Sequence, residues 1–85
     1  MAREMLHTRK DGMPPARFLL DVFYDGERWT STLVRVNDAD EPETESVAPR
    51  FYGLTAEQAR RRMITTLENE WDEVVSTGPP EPTSL

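Results

Sequence analysis

The chain contains no cysteine, so no disulfide can staple it and no thiolate can hold a metal, an absence that fits a reducing compartment. Histidine occurs once, as His7, which starves any Ser-His or His-metal constellation of its imidazoles. Of only four glycines, Gly12, Gly26, Gly53 and Gly78 each fall where a turn or an element end is expected, so they spell no phosphate-cradling loop. No apolar run approaches the ~18 residues that suggest a membrane span. Met1-Ala2-Arg3-Glu4 includes an acid and leads into no long apolar segment, which predicts no secretory signal and a cytoplasmic location. With nucleophile, base and cofactor loop all wanting, no enzyme, metal or cofactor is expected.

Charge is what the chain has in quantity. Of 85 residues, 31% are charged and 36% hydrophobic, with a net charge of −6. That predicts one small soluble domain, burying only about 60–65% of the surface of its unfolded chain. Asp38, Asp40, Glu41, Glu43 and Glu45 crowd into residues 37–46 without a single base. An acidic balance argues against direct nucleic-acid binding, which needs clustered Lys and Arg, and leaves a basic protein partner open. The same loop lacks the glycine turn and terminal glutamate of a calcium-binding EF-hand, so it reads as a solvated or partner-facing surface.

Residues 1–16 mix Arg3, Arg9 and Lys10 with scattered apolar residues and end in Gly12-Met13-Pro14-Pro15, which reads as a flexible arm. Arg17 to Tyr24 and Glu27 to Val36 read as two strands joined at Asp25-Gly26, a two-residue hairpin signal that pairs Val22 with Trp29. Phe18, Leu20, Val22, Trp29 and Leu33 then share one apolar face. The opposite face takes Leu19, Phe23, Val34 and Val36 as a contiguous apolar patch, to be covered by the arm or by another chain. Val47 to Tyr52 reads as a short third strand with Pro49 near its start.

Thr55-Ala56-Glu57-Gln58 is a capping box, with Leu54 placed for a hydrophobic staple. Ala56, Ala59, Met63, Leu67, Trp71 and Val74 follow at spacings of three and four, predicting a helix of about twenty residues that ends near Ser76-Thr77-Gly78-Pro79-Pro80. The domain therefore spans 17–75, and 76–85 reads as a disordered tail. The expected class is α+β, with a hairpin and third strand packed on one long C-terminal helix. Within that helix Arg60-Arg61-Arg62 precedes Glu68, Glu70, Asp72 and Glu73, the reverse of what the helix dipole prefers. Glu57 can pair with Arg61, and Arg60 points near the apolar stripe, where it must snorkel or find a carboxylate.

Tyr24-Asp25-Gly26-Glu27-Arg28-Trp29, followed by Gly53-Leu54-Thr55-Ala56-Glu57-Gln58-Ala59 and a long helix, resembles the HicB-like antitoxin domain over residues 17–75. The resemblance implies a strand-strand-strand-helix domain that binds and blocks a small ribonuclease toxin. The acidic insertion at 37–46 departs from the family, and so does the lack of a DNA-binding segment after the helix, so autoregulation through DNA is not carried over.

Three functional readings follow. The first is a non-enzymatic protein-binding module, an inhibitor or antitoxin-like protein that uses Leu19, Phe23, Val34 and Val36 with Asp38, Asp40, Glu41 and Glu43. The second is an acidic mimic of nucleic acid that blocks a DNA- or RNA-binding partner through carboxylates including Glu68 and Asp72. The third is a homodimeric scaffold paired through sheet faces or edges.

Overall fold

The structure is a computed structural model that describes residues 2–37, 39 and 41–77, with the side chains of residues 2 and 44–46 left undescribed. Asp38 and Asp40, and the expected tail from residue 78 on, lie outside it. Six strands and one helix follow in the order β1 (Ala2–Lys10), β2 (Met13–Tyr24), β3 (Trp29–Val36), β4 (Pro42–Ser46), β5 (Phe51–Gly53), α1 (Ala56–Glu70) and β6 (Glu73–Ser76). The sheet order is β4-β3-β2-β1-β6, with β5 also paired to β3, and every pairing is antiparallel. The class is α+β as expected, an antiparallel sheet packed on one helix, but the sheet is twice the expected size.

Residues 2–10 are no arm: they pair with β2 from Ala2↔Val22 to Lys10↔Met13. The turn between them is Asp11-Gly12, with Gly12 at φ 82°, a left-handed conformation that costs glycine nothing. Pro14 and Pro15 are tolerated because the ladder shifts register between Thr8 and Lys10, opposite them, and β3 pairs with β2 only as far as Arg17.

The β2–β3 hairpin pairs Tyr24 with Trp29 and Val22 with Ser31, two residues away from the register expected for a two-residue turn. Asp25 is the reason. Its Oδ1 accepts the Glu27 and Arg28 backbone N–H groups at 3.0 Å each and its Oδ2 accepts the Thr30 hydroxyl at 3.1 Å, closing a loop over residues 25–28. The Glu27 bond first, then that from Arg28, holds the Asp25 carboxyl below its ordinary value. An even-numbered shift leaves each side chain on its face, so Phe18, Leu20, Val22 and Leu33 enter the core as expected.

The third strand is displaced and divided. β4 lies within the acidic segment and pairs Val34↔Ser46 and Val36↔Pro42, while β5 pairs the other end of β3 through Trp29↔Gly53 and Ser31↔Phe51. Both occupy one edge of β3, end to end.

Helix α1 closes the core by laying Ala59, Met63 and Leu67, all buried, against Leu6, Phe18, Leu20, Val22 and Leu33. Its N-terminus is capped as expected, with Thr55 Oγ1 accepting from Gln58 N at 3.1 Å. The reciprocal bond moves one residue outward, Gln58 Oε1 accepting from Leu54 N at 2.6 Å. No staple forms, since Leu54 is 88% exposed. The helix comes within touching distance of β5: a Cβ on Gly53 would lie 2.7 Å from the Ala59 nitrogen. Ser31 Oγ ties sheet to helix by donating to the Ala59 carbonyl at 2.8 Å.

The helix ends at Glu70, five residues earlier than expected. Trp71 turns extended at φ −119°, ψ 145°, and Glu73–Ser76 becomes an edge strand on β1, pairing Thr8↔Val74 and His7↔Val75. Two adjacent β-branched valines prefer the pleat to a helix end.

Candidate functional site

With α1 on one side, the sheet's other side carries no element of the described chain. Alternation along each strand assigns its side chains. Met5 on β1, Leu19 on β2 and Val34 on β3 form one row, since Met5 pairs with Leu19 and Leu19 with Val34. A second row runs Val75, His7, Arg17, Val36 and Pro42. Leu19 and Val36 are buried although neither belongs to the helix-side core, because their row neighbours enclose them.

Four residues expected at this face are therefore on it, but not as one patch. The row Arg3, Asp21, Thr32 separates Leu19 and Val34 from Phe23, which pairs with Thr30 and, across β3, with Tyr52. Arg3 and Asp21 are bound in that row by a 2.6 Å ion pair. Beyond it, Arg28 stacks 4.2 Å from the centre of the Tyr52 ring, a cation–π contact. Of the two covers the sequence left open, the N-terminal residues are not one: as β1 they widen the face.

Of the expected acidic contributors, Glu41 and Glu43 are exposed beside Val36 on the β4 flank. Glu43 shares a hollow of about 650 Å³ with His7, Arg9, Arg17 and Val36, so the acidic flank and the cations of β1 and β2 border one depression. Arg17 reaches back to donate to the Asn37 carbonyl at 2.9 Å, and Arg9 pairs with Glu73 at 3.2 Å. His7 is exposed here.

Sequence reasoning missed Met5, Arg9 and Tyr52 as face residues. The local signal was slight: Arg3-Glu4-Met5-Leu6-His7-Thr8-Arg9 shows no period-two alternation, and only Asp11-Gly12, a two-residue turn signal, points to a hairpin with the next strand.

The other charged groups serve the fold. Arg60 finds the carboxylate its position demands, donating from Nε to Glu4 Oε1 at 2.6 Å and from its terminal nitrogen to Oε2 at 3.2 Å. Ser76 also donates to Glu4, tying β6, β1 and α1 together. Burial alone would raise the Glu4 carboxyl, but the bonds from Arg60 and Ser76 and the Arg60 charge outweigh it and hold it below its ordinary value. Arg61 pairs with Glu57 at 3.5 Å and Arg62 is exposed. Asp72 Oδ2 accepts the Asp11 backbone N–H at 3.1 Å. With Glu73 on Arg9, the acids after the helix are engaged within the fold rather than set out as a free row. Among the described residues, no three metal-ligating side chains gather, and no helix is long and apolar enough to cross a membrane.

No family model, no curated protein and no solved structure matches this chain.

Proposed function

We propose that the chain is a non-enzymatic protein-binding module whose interface is the sheet face opposite α1, with the acidic β4 flank at its rim. One observation carries this reading: Met5, Leu19 and Val34 lie side by side on a face that no described element covers, while the helix has filled the other face. A monomeric sheet with one face packed normally presents water with a polar second face, and an apolar row rimmed by charge is the composition of a recognition surface. The inhibitory role implied by the likeness to the HicB-like domain belongs to this proposal, as binding and occlusion without chemistry.

Three baits test it in a lysate of the source cell: wild type, Val34→Lys on the sheet face, and Arg61→Glu on the outer side of α1. A partner retained by wild type and Arg61→Glu but lost with Val34→Lys, at unchanged circular dichroism, is the expected result. Equal retention by all three baits, or none by any, removes the sheet face from consideration.

A further inference from the structure

Resting on that reading of the face, we infer that its occupant is a second copy of this chain, seated by a two-fold axis that runs in the interface plane between β2 and β3. The face is self-complementary in charge. On the β1 flank, in and beside the row of Val36 and Pro42, stand His7 and Arg9, and Arg9, although paired with Glu73, keeps 76% of its side chain in water. Across β2 and β3, at the same end of the sheet, the β4 flank presents Glu41 and Glu43, both exposed, within a segment rich in acids and free of bases. Rotation about the stated axis exchanges these flanks, so each cationic β1 meets the partner copy's acidic β4.

The same rotation exchanges Leu19 with Val34, which are register partners across β2 and β3. Each Leu19 thus packs on the Val34 of the other copy at the dry centre, and Met5 extends that centre to one side. The hollow bordered by His7, Arg9 and Arg17 on one side and by the chain's own Glu43 on the other sets its cationic side beneath the partner's β4 flank. Two twisted sheets stacked in this way cross at about −30° and stand ~10 Å apart. Four strands overlap about that axis, β4 to β1; spaced at ~4.8 Å and each contributing about eight residues of ~3.3 Å, they give a face of roughly 500 Å² in projection. Corrugation brings its accessible area toward the ~600 Å² per partner at the lower end of specific complexes. An opposite-charge rim fixes the register of such a pair and disfavours other orientations.

Light scattering after size exclusion tests the inference on the full chain. Wild type is expected at twice its 9.8 kDa mass, and Val34→Lys as a monomer. Arg9→Glu and Glu43→Arg, both on exposed side chains, should each weaken the dimer about tenfold, and the double swap should restore most of that loss. Circular dichroism of each variant guards against misfolding. A wild-type monomer, a dimer that survives Val34→Lys, or a double swap no tighter than either single one overturns the inference. A wild-type monomer whose sheet face still captures a different protein overturns the dimer alone and leaves the binding-module reading standing.

Discussion

Glu4 is the residue whose environment departs furthest from its sequence context. Nothing in Arg3-Glu4-Met5 announces a side chain only 14% exposed, held by Arg60 from a helix 56 residues on. The need was legible from the other end, because a long cation directed at an apolar stripe must be matched. Glu4→Gln should cost about 2 kcal/mol in urea unfolding, less than the ~3–5 of a fully buried pair because Arg60 keeps 34% of its side chain in water. The sign of the pH dependence follows from the lowered carboxyl. Stability from Glu4 is full above the unfolded-state value of about 4.3 and is lost as pH falls through the lower folded value. The acid limb of the wild-type stability curve should therefore flatten in Glu4→Gln, as followed by urea midpoints from neutral pH down to pH ~3. Gly53 is a second such position. Its substitution by Ala drives a Cβ into the helix backbone 2.7 Å away, and a loss of about 2–3 kcal/mol in thermal or urea unfolding is expected.

At the scale of the element, the helix start, its buried stripe and the inward face of the hairpin were legible, because capping and periodicity are local. The hairpin's face assignment survived a wrong turn length and a register two residues off, since an even-numbered slip preserves the face. Two strands were not legible. For β1, its only strongly apolar residues, Met5 and Leu6, are adjacent and give no alternation, and the prolines after Gly12 look like a stop unless one knows that they begin a strand on its unpaired stretch. For β6, Val74 falls three residues after Trp71 and satisfies helical spacing as well as strand alternation. Only its pairing with Thr8 decides the matter, and that partner lies at the far end of the chain. A test of β6 is Val74→Asp, which sets a charge against the core it packs on. A loss of about 2–3 kcal/mol is expected, with faster hydrogen exchange at the amides of residues 6–8 before those of β2 and β3.

Over the whole molecule, the candidate site depends on a property no single segment carries. Leu19, Phe23, Val34 and Val36 could be assigned to one face from the hairpin alone, yet whether that face stays open is decided by where residues 2–10 go. They join the sheet's plane rather than its surface, so the apolar row is widened by Met5 and left uncovered. Asp21 and Thr32 fall on this face from the hairpin alone, and Arg3, placed beside Asp21 by β1, completes the polar row that divides the apolar residues. Charge is likewise distributed by pairing rather than by side: the open face matches Arg3 with Asp21 and Arg9 with Glu73, and the helix matches Arg60 with Glu4 and Arg61 with Glu57.

Because β6 is antiparallel to β1, with Leu6 opposite Ser76 and the Thr77 backbone N–H donating to the Met5 carbonyl at 3.0 Å, both ends of the described chain emerge from the same end of that strand pair. A tension applied between them peels the ladder one hydrogen bond at a time instead of shearing all its bonds together. In single-molecule pulling from residues 2 and 77 the domain should yield at low force, β6 first, whereas pulling from residues 10 and 77 loads the β1–β6 bonds in parallel and should meet a clearly higher peak. The fold is then thermally closed but mechanically open at its ends, and equal peaks from both geometries would show that the β1–β6 seam does not bear the load.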